Sequence, residues 1–192
     1  RDLLRGAREA TVLLSLVTER IDREVLEANP ALRGVANQAV GFDNVDVGAA
    51  TRLGIPVSNT PGVLTETTAD LTWALLLSAA RRIPEGDAYV REGRFHIWSP
   101  TLLLGADVGP GPDRVPKVLG IVGFGRIGQA VARRAAGFEM RVLAYDPNHR
   151  DRVEASPGVE WAELDALVEA ADFVCLHARM SPSARHMIDE SR

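Results

Sequence analysis

A chain of 192 residues, of which 46% are hydrophobic, can form one large or two small globular domains. Lys and Arg number 22 against 26 Asp and Glu, and no long basic run occurs, so the composition argues against a nucleic-acid partner. The most hydrophobic window, residues 69–80, is shorter than the roughly 20 apolar residues of a membrane span, so no membrane partner is predicted. The single cysteine, Cys175, lies in an apolar run, which fits a buried side chain and a reducing, cytoplasmic location. No metal site is predicted.

The first half of the sequence alternates short, β-branched apolar runs with helix-compatible stretches. The apolar runs are residues 11–17, 32–40 and 55–59. Because this alternation is typical of strands joined by crossover helices, it predicts a β-α-β-α-β unit with a parallel sheet.

A long helix is predicted after a Pro-Gly turn. Thr67 and Asp70 have the spacing of a capping box, and Arg82 before Pro84 predicts the end of the helix. Apolar residues cover nearly every face of this segment, which predicts a buried helix that lies between domains or in a subunit interface. From residue 91 to 116 the order signals fade, and the Pro/Gly-rich "GADVGPGPDRVP" predicts a boundary loop.

The second half returns to alternating strands and helices. Strands are predicted at residues 117–123, 140–146 and 172–178, and helices at 129–137 and 161–171. This pattern predicts half of a doubly wound nucleotide-binding fold. With three strands in that order, we expect strand 117–123 to have a partner on one side only.

A glycine loop joins the first strand of this half to its helix. Gly123, Gly125 and Gly128 form a G-x-G-x-x-G pattern, in which the glycines allow a tight turn, a close approach of the pyrophosphate and close helix packing. Asp146 ends the next strand, where its carboxylate can accept hydrogen bonds from ribose hydroxyls and repel a 2′-phosphate. NAD is therefore favoured over NADP, although Arg150 would partly offset this repulsion.

Two alternatives stay open for these residues on sequence grounds alone. The three glycines can simply form a tight turn between a strand and a helix. Arg126, within the loop, can contact a pyrophosphate or can be a solvated surface side chain.

The sequence resembles the D-isomer-specific 2-hydroxyacid dehydrogenases, and most closely their glyoxylate/hydroxypyruvate reductase branch. The resemblance rests on "GFDNVD", "NTPGVLTETTAD" and "GFGRIG", which follow one another in the order and spacing of that family, and it extends over residues 11–189. It implies an α/β fold with two domains: a Rossmann-type doubly wound parallel sheet, incomplete here, and a flavodoxin-like substrate domain, also incomplete.

The resemblance also implies a division of the chain. Residues 1–64 are expected to be the N-terminally truncated substrate domain, 65–116 the crossing helix and linker, and 117–192 the C-terminally truncated NAD-binding domain. The active site of such enzymes lies in the cleft between the two domains. The backbone N–H groups of Val40 and Gly41 would bind the carboxylate of a 2-oxo acid there, since a glycine turn can present adjacent N–H groups to an anion.

The cofactor side of the site follows from the same resemblance. Thr68 is expected near the nicotinamide, although a helix-capping hydroxyl is the alternative. The full set of expected cofactor-binding residues is Thr68, Gly123, Phe124, Gly125, Arg126, Ile127, Gly128, Asp146, Pro147, His177 and Ala178.

The chain departs from the family pattern in its linker and in one loop. The linker "GPGPDRVPK" is longer than the usual turn, and the segment from His177 to Ser181 lacks the proline of the family's "HxPLT". The catalytic arginine, glutamate and histidine of the family are expected after Arg192, and none of the four histidines present matches the catalytic position. A strand and a helix are likewise expected before Arg1.

We therefore expect part of an NAD-dependent oxidoreductase that acts on a small 2-oxo or 2-hydroxy acid, glyoxylate or hydroxypyruvate in the terms of this branch, and that forms a homodimer when complete. The chain alone is expected to be inactive and poorly stable as a monomer, because open sheet edges expose unpaired backbone groups. Another 2-hydroxyacid specificity, such as that of phosphoglycerate dehydrogenase, and a non-enzymatic nucleotide sensor are the alternatives. Formate dehydrogenase is less favoured.

Overall fold

The computed structural model describes residues 2–181 and 184–190. The chain divides into two compact units, Arg1–Val63 and Leu64–Arg192. Each unit contains one sheet of parallel strands with helices in the connections, which confirms the predicted α/β class. Within the described ranges, no helix combines the length and the apolar content needed to cross a membrane.

The first unit is a small three-stranded sheet with its connecting helices. Its elements are α1 (Asp2–Ala7), β1 (Leu13–Ser15), α2 (Arg23–Glu27), β2 (Val35–Asn37), α3 (Val47–Arg52) and β3 (Val57–Ser58). The strands are parallel in the order β1-β2-β3. Asp22 and Asp46 begin α2 and α3, where each carboxylate accepts a hydrogen bond from a first-turn N–H. Each carboxylate thereby pairs an N–H group that would otherwise lack an acceptor at the helix start. The apolar side of each helix packs on the sheet.

The second unit has a four-stranded parallel sheet. Its elements are α4 (Thr65–Ala80), α5 (Ile83–Arg91), β4 (Val118–Val122), α6 (Arg126–Ala135), a 3₁₀ turn (Ala136–Phe138), β5 (Arg141–Tyr145), α7 (Arg150–Glu154), β6 (Val159–Trp161), α8 (Leu164–Ala170) and β7 (Phe173–Leu176). The strand order is β6-β5-β4-β7.

The expectation that the strand after Lys117 has a partner on one side only is wrong. β4 lies in the interior of the sheet, with β5 on one side and β7 on the other. The error arises from β6, which the sequence pattern missed because Trp161 was assigned to the following helix. With β6 as the third strand of the unit, β7 becomes the fourth and pairs with β4 across the crossover.

Helices cover both faces of this sheet, as a doubly wound fold requires. Alternate residues of β4 point to opposite faces: Leu119 and Ile121 join the cluster with α6, whereas Val122 joins the cluster with α8. Both clusters are closed to solvent at their centres, where Ile121 and Leu167 are fully buried. β4 is therefore the central strand on which the glycine loop is mounted.

Helix α4 differs from its prediction in its start and in its burial. It begins at Thr65, and Thr67 and Asp70 do not form a capping box, since the helix start has no side-chain cap and Asp70 pairs with Arg134 instead. Within the single chain this helix is not buried on every face, and its burial in a subunit interface stays a prediction. Only one face packs on α6, and Leu71 and Leu75 on the other sides are exposed.

The end of α4 and the segment after it also differ from the prediction. Pro84 does not stop helical structure but lies at the start of α5, where its missing N–H costs no hydrogen bond. The chain turns at Arg82, whose φ of 53° breaks α4 from α5. The irregular segment then begins after Arg91, in agreement with the predicted loss of order signals from residue 91.

Trp73 fixes α4 to the rest of the second unit. Its indole Nε1 donates a hydrogen bond of 3.2 Å to the carbonyl of Val131 in α6, and its ring stacks on Phe138 at 4.5 Å between centroids. Arg134 of α6 adds ion pairs to Glu66 and Asp70. The long helix is thus a fixed part of this unit.

Candidate functional site

Two of the three loop glycines are required by the protein's own backbone. Gly123 has a φ of 93°, and a Cβ atom there would collide with the backbone of His177 and Ala178. A Cβ atom on Gly128 would collide with the carbonyl oxygen of Gly123. These two positions therefore explain the tight turn and the close packing of α6 on β4.

Gly125, the middle glycine, is different. Its φ of −75° is open to any residue, and a Cβ atom there would meet nothing within 4 Å. Nothing in the folded chain excludes a side chain at this position. Its absence leaves a clear surface beside the start of α6, and this is the space that a pyrophosphate needs in order to approach the backbone.

The first turn of α6 offers hydrogen-bond donors to this surface. Gly125 is the N-cap and has no side chain with which to cap the helix. In the described ranges, the N–H groups of Arg126, Ile127 and Gly128 have no acceptor. Unpaired N–H groups and the positive end of the helix dipole form a site for an anion.

Asp146 lies at the same edge of the sheet and is tied to the glycine loop. Only 8% of the residue is exposed. Its Oδ2 accepts a hydrogen bond of 3.0 Å from the N–H of Phe124, and its Oδ1 accepts one of 3.1 Å from the N–H of Asn148. Since a carboxylate oxygen can accept two hydrogen bonds, each oxygen keeps acceptor capacity for a ribose hydroxyl.

His177 and Ala178 follow β7, and their backbone packs against Gly123. The N–H of His177 donates a hydrogen bond of 2.7 Å to the carbonyl of Val122. Burial lowers the pKa of His177 below its ordinary value, which favours the neutral imidazole. Its Nε2 is buried and has no hydrogen-bond partner among the described residues.

The remaining predicted cofactor residues lie around this centre. Arg126 is exposed and makes no ion pair within the described ranges, whereas Ile127 is half-buried against the core. Pro147 is exposed directly after Asp146. Thr68 lies in the first half of α4, and its carbonyl accepts a hydrogen bond from the Thr72 hydroxyl. The structure therefore brings together the loops after β4, β5 and β7, and their roles in binding stay predictions.

The first unit holds the turn of Val40 and Gly41. Both carbonyls of this turn are fixed by asparagine amides: Asn59 donates to the Val40 oxygen at 2.9 Å, and Asn37 donates to the Gly41 oxygen at 3.0 Å. Neither N–H group of the turn has an acceptor in the part of the chain that the structure describes. Asparagine side chains thus hold the carbonyls of the turn while its two adjacent N–H groups are left to donate, which is an arrangement suited to a carboxylate.

Sequence reasoning missed the asparagines that hold this turn. Asn37 is buried at the end of β2, and its Oδ1 accepts a hydrogen bond from the Ser15 hydroxyl at 2.9 Å. Asn44 joins the same network through its side chain and donates to the backbone of the neighbouring loop. The sequence signal for Asn37 was its position as a polar residue at the end of an apolar strand, in "GVANQAV".

These features define a class of protein. A parallel sheet with helices on both faces, and a glycine loop between its central strand and a helix, is the architecture of dinucleotide-binding α/β domains. The chain belongs to the D-isomer specific 2-hydroxyacid dehydrogenase family: the NAD binding domain of that family matches residues 73–192. The predicted family and the predicted NAD-binding fold are thereby confirmed.

Individual relatives agree with this assignment. A glyoxylate reductase of Korarchaeum cryptofilum is 51% identical over 191 residues, which make up 99% of this chain and 56% of that protein. A solved structure of a Thermus thermophilus protein matches with a TM-score of 0.84 and 45% identity, covering 95% of this chain and 55% of that one.

A second solved structure was determined with a bound cofactor. The D-lactate dehydrogenase from Aquifex aeolicus, complexed with NAD and lactic acid, matches with a TM-score of 0.83 and 28% identity. The match covers 98% of this chain and 54% of that enzyme. The chain thus spans about half the length of the relatives it matches.

Proposed function

We propose that this chain supplies the NAD-binding and carboxylate-binding parts of a 2-hydroxyacid dehydrogenase of the glyoxylate/hydroxypyruvate reductase type. The observation that carries the proposal is the clear surface at Gly125, beside unpaired N–H groups of α6. Neither the backbone conformation nor the packing of the chain requires a glycine there. A ligand that approaches the backbone closely accounts for it.

The second unit holds the cofactor in this proposal. The N–H groups at the start of α6 bind the pyrophosphate, and Arg126 contributes an exposed positive charge at the rim. Asp146 accepts hydrogen bonds from the adenosine ribose hydroxyls, which favours NAD over NADP. The backbone of His177 and Ala178 packs against Gly123 and fixes the shape of the glycine loop. Thr68 and Pro147 complete the set of predicted cofactor-binding residues. Bound NADH supplies the hydride that reduces a 2-oxo acid.

The first unit binds the substrate carboxylate. The N–H groups of Val40 and Gly41 donate to the two carboxylate oxygens, while Asn37 and Asn59 keep the carbonyls of the turn directed away from the anion. A small acid such as glyoxylate presents little beyond its carboxylate and its carbonyl, so this turn carries much of the recognition. None of the residues in this chain is proposed as the catalytic acid.

The domain roles follow from these assignments. Residues 1–64 are the substrate domain, 65–116 the crossing helix and linker, and 117–192 the cofactor domain. We further propose a cytoplasmic homodimer, supported by the single, partly buried cysteine and by the exposed Leu71 and Leu75 of α4. Light scattering of the chain at increasing concentration tests the dimer, which Leu75→Glu is expected to dissociate.

Titration of the chain with NADH and with oxalate tests both binding sites. Oxalate is a stable dicarboxylate that resembles glyoxylate. We expect saturable NADH binding with enhanced nicotinamide fluorescence, and oxalate-dependent shifts in the amide NMR signals of Val40 and Gly41. An absence of NADH binding contradicts the cofactor assignment. Oxalate shifts elsewhere, with none at these two amides, contradict the carboxylate assignment.

A further inference from the structure

Arg150 lies close to the predicted ribose site but is engaged by two neighbours. It is the first residue of α7, which begins soon after Asp146. Its Nε donates a hydrogen bond of 2.6 Å to Oε1 of Glu154, one helical turn further on. Its guanidinium carbon lies 4.0 Å from the centroid of the Trp161 ring.

Trp161 places this guanidinium beside the end of β5. As the last residue of β6, Trp161 is paired in register with Ala144, and the following N–H of Ala162 donates to the Ala144 carbonyl. Asp146 follows directly after β5, close to Ala144 in the chain. Since residues in register on parallel strands share a face and a level, Trp161 holds the Arg150 charge at the edge of the sheet where Asp146 emerges.

An arginine near this strand end is the group that accommodates the 2′-phosphate of NADP in dinucleotide-binding folds. Here its charge is offset by Glu154, one of its donors is occupied, and its flat face is covered by the indole ring. The two contacts therefore restrict the orientation in which the guanidinium can present its remaining donors to a phosphate.

We propose that Glu154 and Trp161 are positioning residues for cofactor specificity: they fix the orientation of Arg150 and offset its charge beside the 2′-phosphate site, and thereby strengthen the preference for NAD. This inference rests on the NAD binding proposed above. Asp146 repels the 2′-phosphate directly, and the two positioning residues weaken the contribution of a cation that would compensate for that repulsion.

The size of the effect follows from the two contacts. An exposed ion pair within a helix and an exposed cation–π contact together correspond to about a fivefold to tenfold change in an equilibrium constant. Glu154→Gln alone is expected to tighten NADPH binding about threefold, and Glu154→Gln with Trp161→Leu by about tenfold. NADH has no 2′-phosphate, so its dissociation constant is expected to stay the same.

The experiment measures the dissociation constants of NADH and NADPH for the unaltered chain and for a set of variants. Glu154→Gln keeps the shape of a surface side chain and carries the test even if Trp161→Leu fails to fold. Asp151→Asn is the matched control, because it removes a carboxylate from the same short helix without contacting Arg150 through its side chain. Arg150→Ala is combined with Glu154→Gln to ask whether the gain depends on the released arginine.

The outcomes separate the inference from the function on which it rests. A tighter NADPH complex in Glu154→Gln, with no gain in Asp151→Asn and no gain once Arg150 is replaced, supports the inference. An unchanged ratio of NADH to NADPH affinity overturns it while NADH binding stands. A gain that survives Arg150→Ala also overturns it, since the effect then comes from the lost carboxylate charge. If the unaltered chain does not bind NADH, the proposed function and this inference fail together.

Discussion

Asn37 shows how one buried side chain prepares a backbone turn for an anion. Its amide nitrogen fixes the Gly41 carbonyl and its amide oxygen accepts from Ser15, so both ends of the side chain are used. Because the amide holds the carbonyl of the turn, the adjacent N–H groups keep a fixed orientation without a ligand. The orientation therefore costs little at the moment of binding.

Replacing this asparagine separates stability from binding. Asn37→Ala leaves the Ser15 hydroxyl and the Gly41 carbonyl without their partner, and we expect it to lower the free energy of unfolding by about 1–3 kcal/mol. Asn59→Ala removes an exposed hydrogen bond and is expected to cost less than about 1 kcal/mol. Both should weaken oxalate binding. Urea unfolding and an oxalate titration check this, and unchanged oxalate affinity in both variants would contradict it.

Cys175 is the only thiol of the chain, and its reactivity is set by burial. Desolvation raises the pKa of Cys175 to about 12, so nearly all of it is the unreactive protonated form at pH 8. We expect iodoacetamide to modify the folded chain at least about a hundredfold more slowly than the unfolded chain. Mass spectrometry over a time course in buffer and in urea measures both rates. Equal rates would show that the thiol is accessible.

Local sequence patterns located the glycine loop and Asp146, whereas the contacts that these residues make with distant parts of the chain were not predicted. The glycine pattern and Asp146 were found because their spacing is local, and the strand and helix around them are as expected. The hydrogen bond from Phe124 to Asp146 and the network around Asn37 join residues that are far apart in sequence. No local pattern records such a contact.

At the scale of elements, the order of the strands in the second sheet was predicted incorrectly because β6 was missed. Its three residues are too short to show a clear alternation, and the apolar residues that follow it have helical spacing. Trp161 was therefore assigned to the helix, and the sheet was expected to end at β4. α5 was missed for a related reason, because a proline marks the start of a helix as well as its end.

Asp172 ties the start of β7 to the start of β4. Its Oδ2 accepts a hydrogen bond of 2.8 Å from the N–H of Val118, and its Oδ1 contacts Nζ of Lys117 at 3.2 Å. The bond from Val118, and then the Lys117 charge, hold the pKa of Asp172 below its usual value. A lowered pKa in the folded state means that this stabilisation is present above the pKa of an unfolded Asp and is lost as the pH falls through the folded value.

The expected effect of removing this carboxylate is therefore dependent on pH. Asp172→Asn should lower the free energy of unfolding by about 1 kcal/mol at pH 7, and the difference should shrink below about pH 4. Lys117→Met, which removes only an exposed ion pair, is expected to cost less than about 0.5 kcal/mol. Urea unfolding from pH 3 to pH 7 tests this. A difference between Asp172→Asn and the unaltered chain that is constant over that range would be inconsistent with the Val118 bond as its source.

At the scale of the whole molecule, the strand order decides where a ligand can bind. Because β4 has β5 on one side and β7 on the other, the loops after all three strands meet at one edge of the sheet. The chain crosses from one side of β4 to the other at this point, and crevices at such a change of strand order are where α/β sheets bind their ligands. The close approach of Gly123 to His177 and the hydrogen bond from Phe124 to Asp146 are consequences of that topology.

NADH binding by Gly125→Ala, measured beside Gly137→Ala, tests the nucleotide site most directly. Both glycines accept a Cβ atom without contact and neither has a positive φ, so both variants should fold. Gly137→Ala should raise the free energy of unfolding slightly, by about 0.5 kcal/mol. Gly125→Ala should lower it by up to about 1 kcal/mol, because alanine is a poorer N-cap residue than glycine. Gly137 lies after α6, at the end away from the loop. We predict that Gly125→Ala weakens NADH binding about tenfold or more, whereas Gly137→Ala leaves it unchanged. Equal NADH affinity in the two variants would contradict pyrophosphate binding at Gly125.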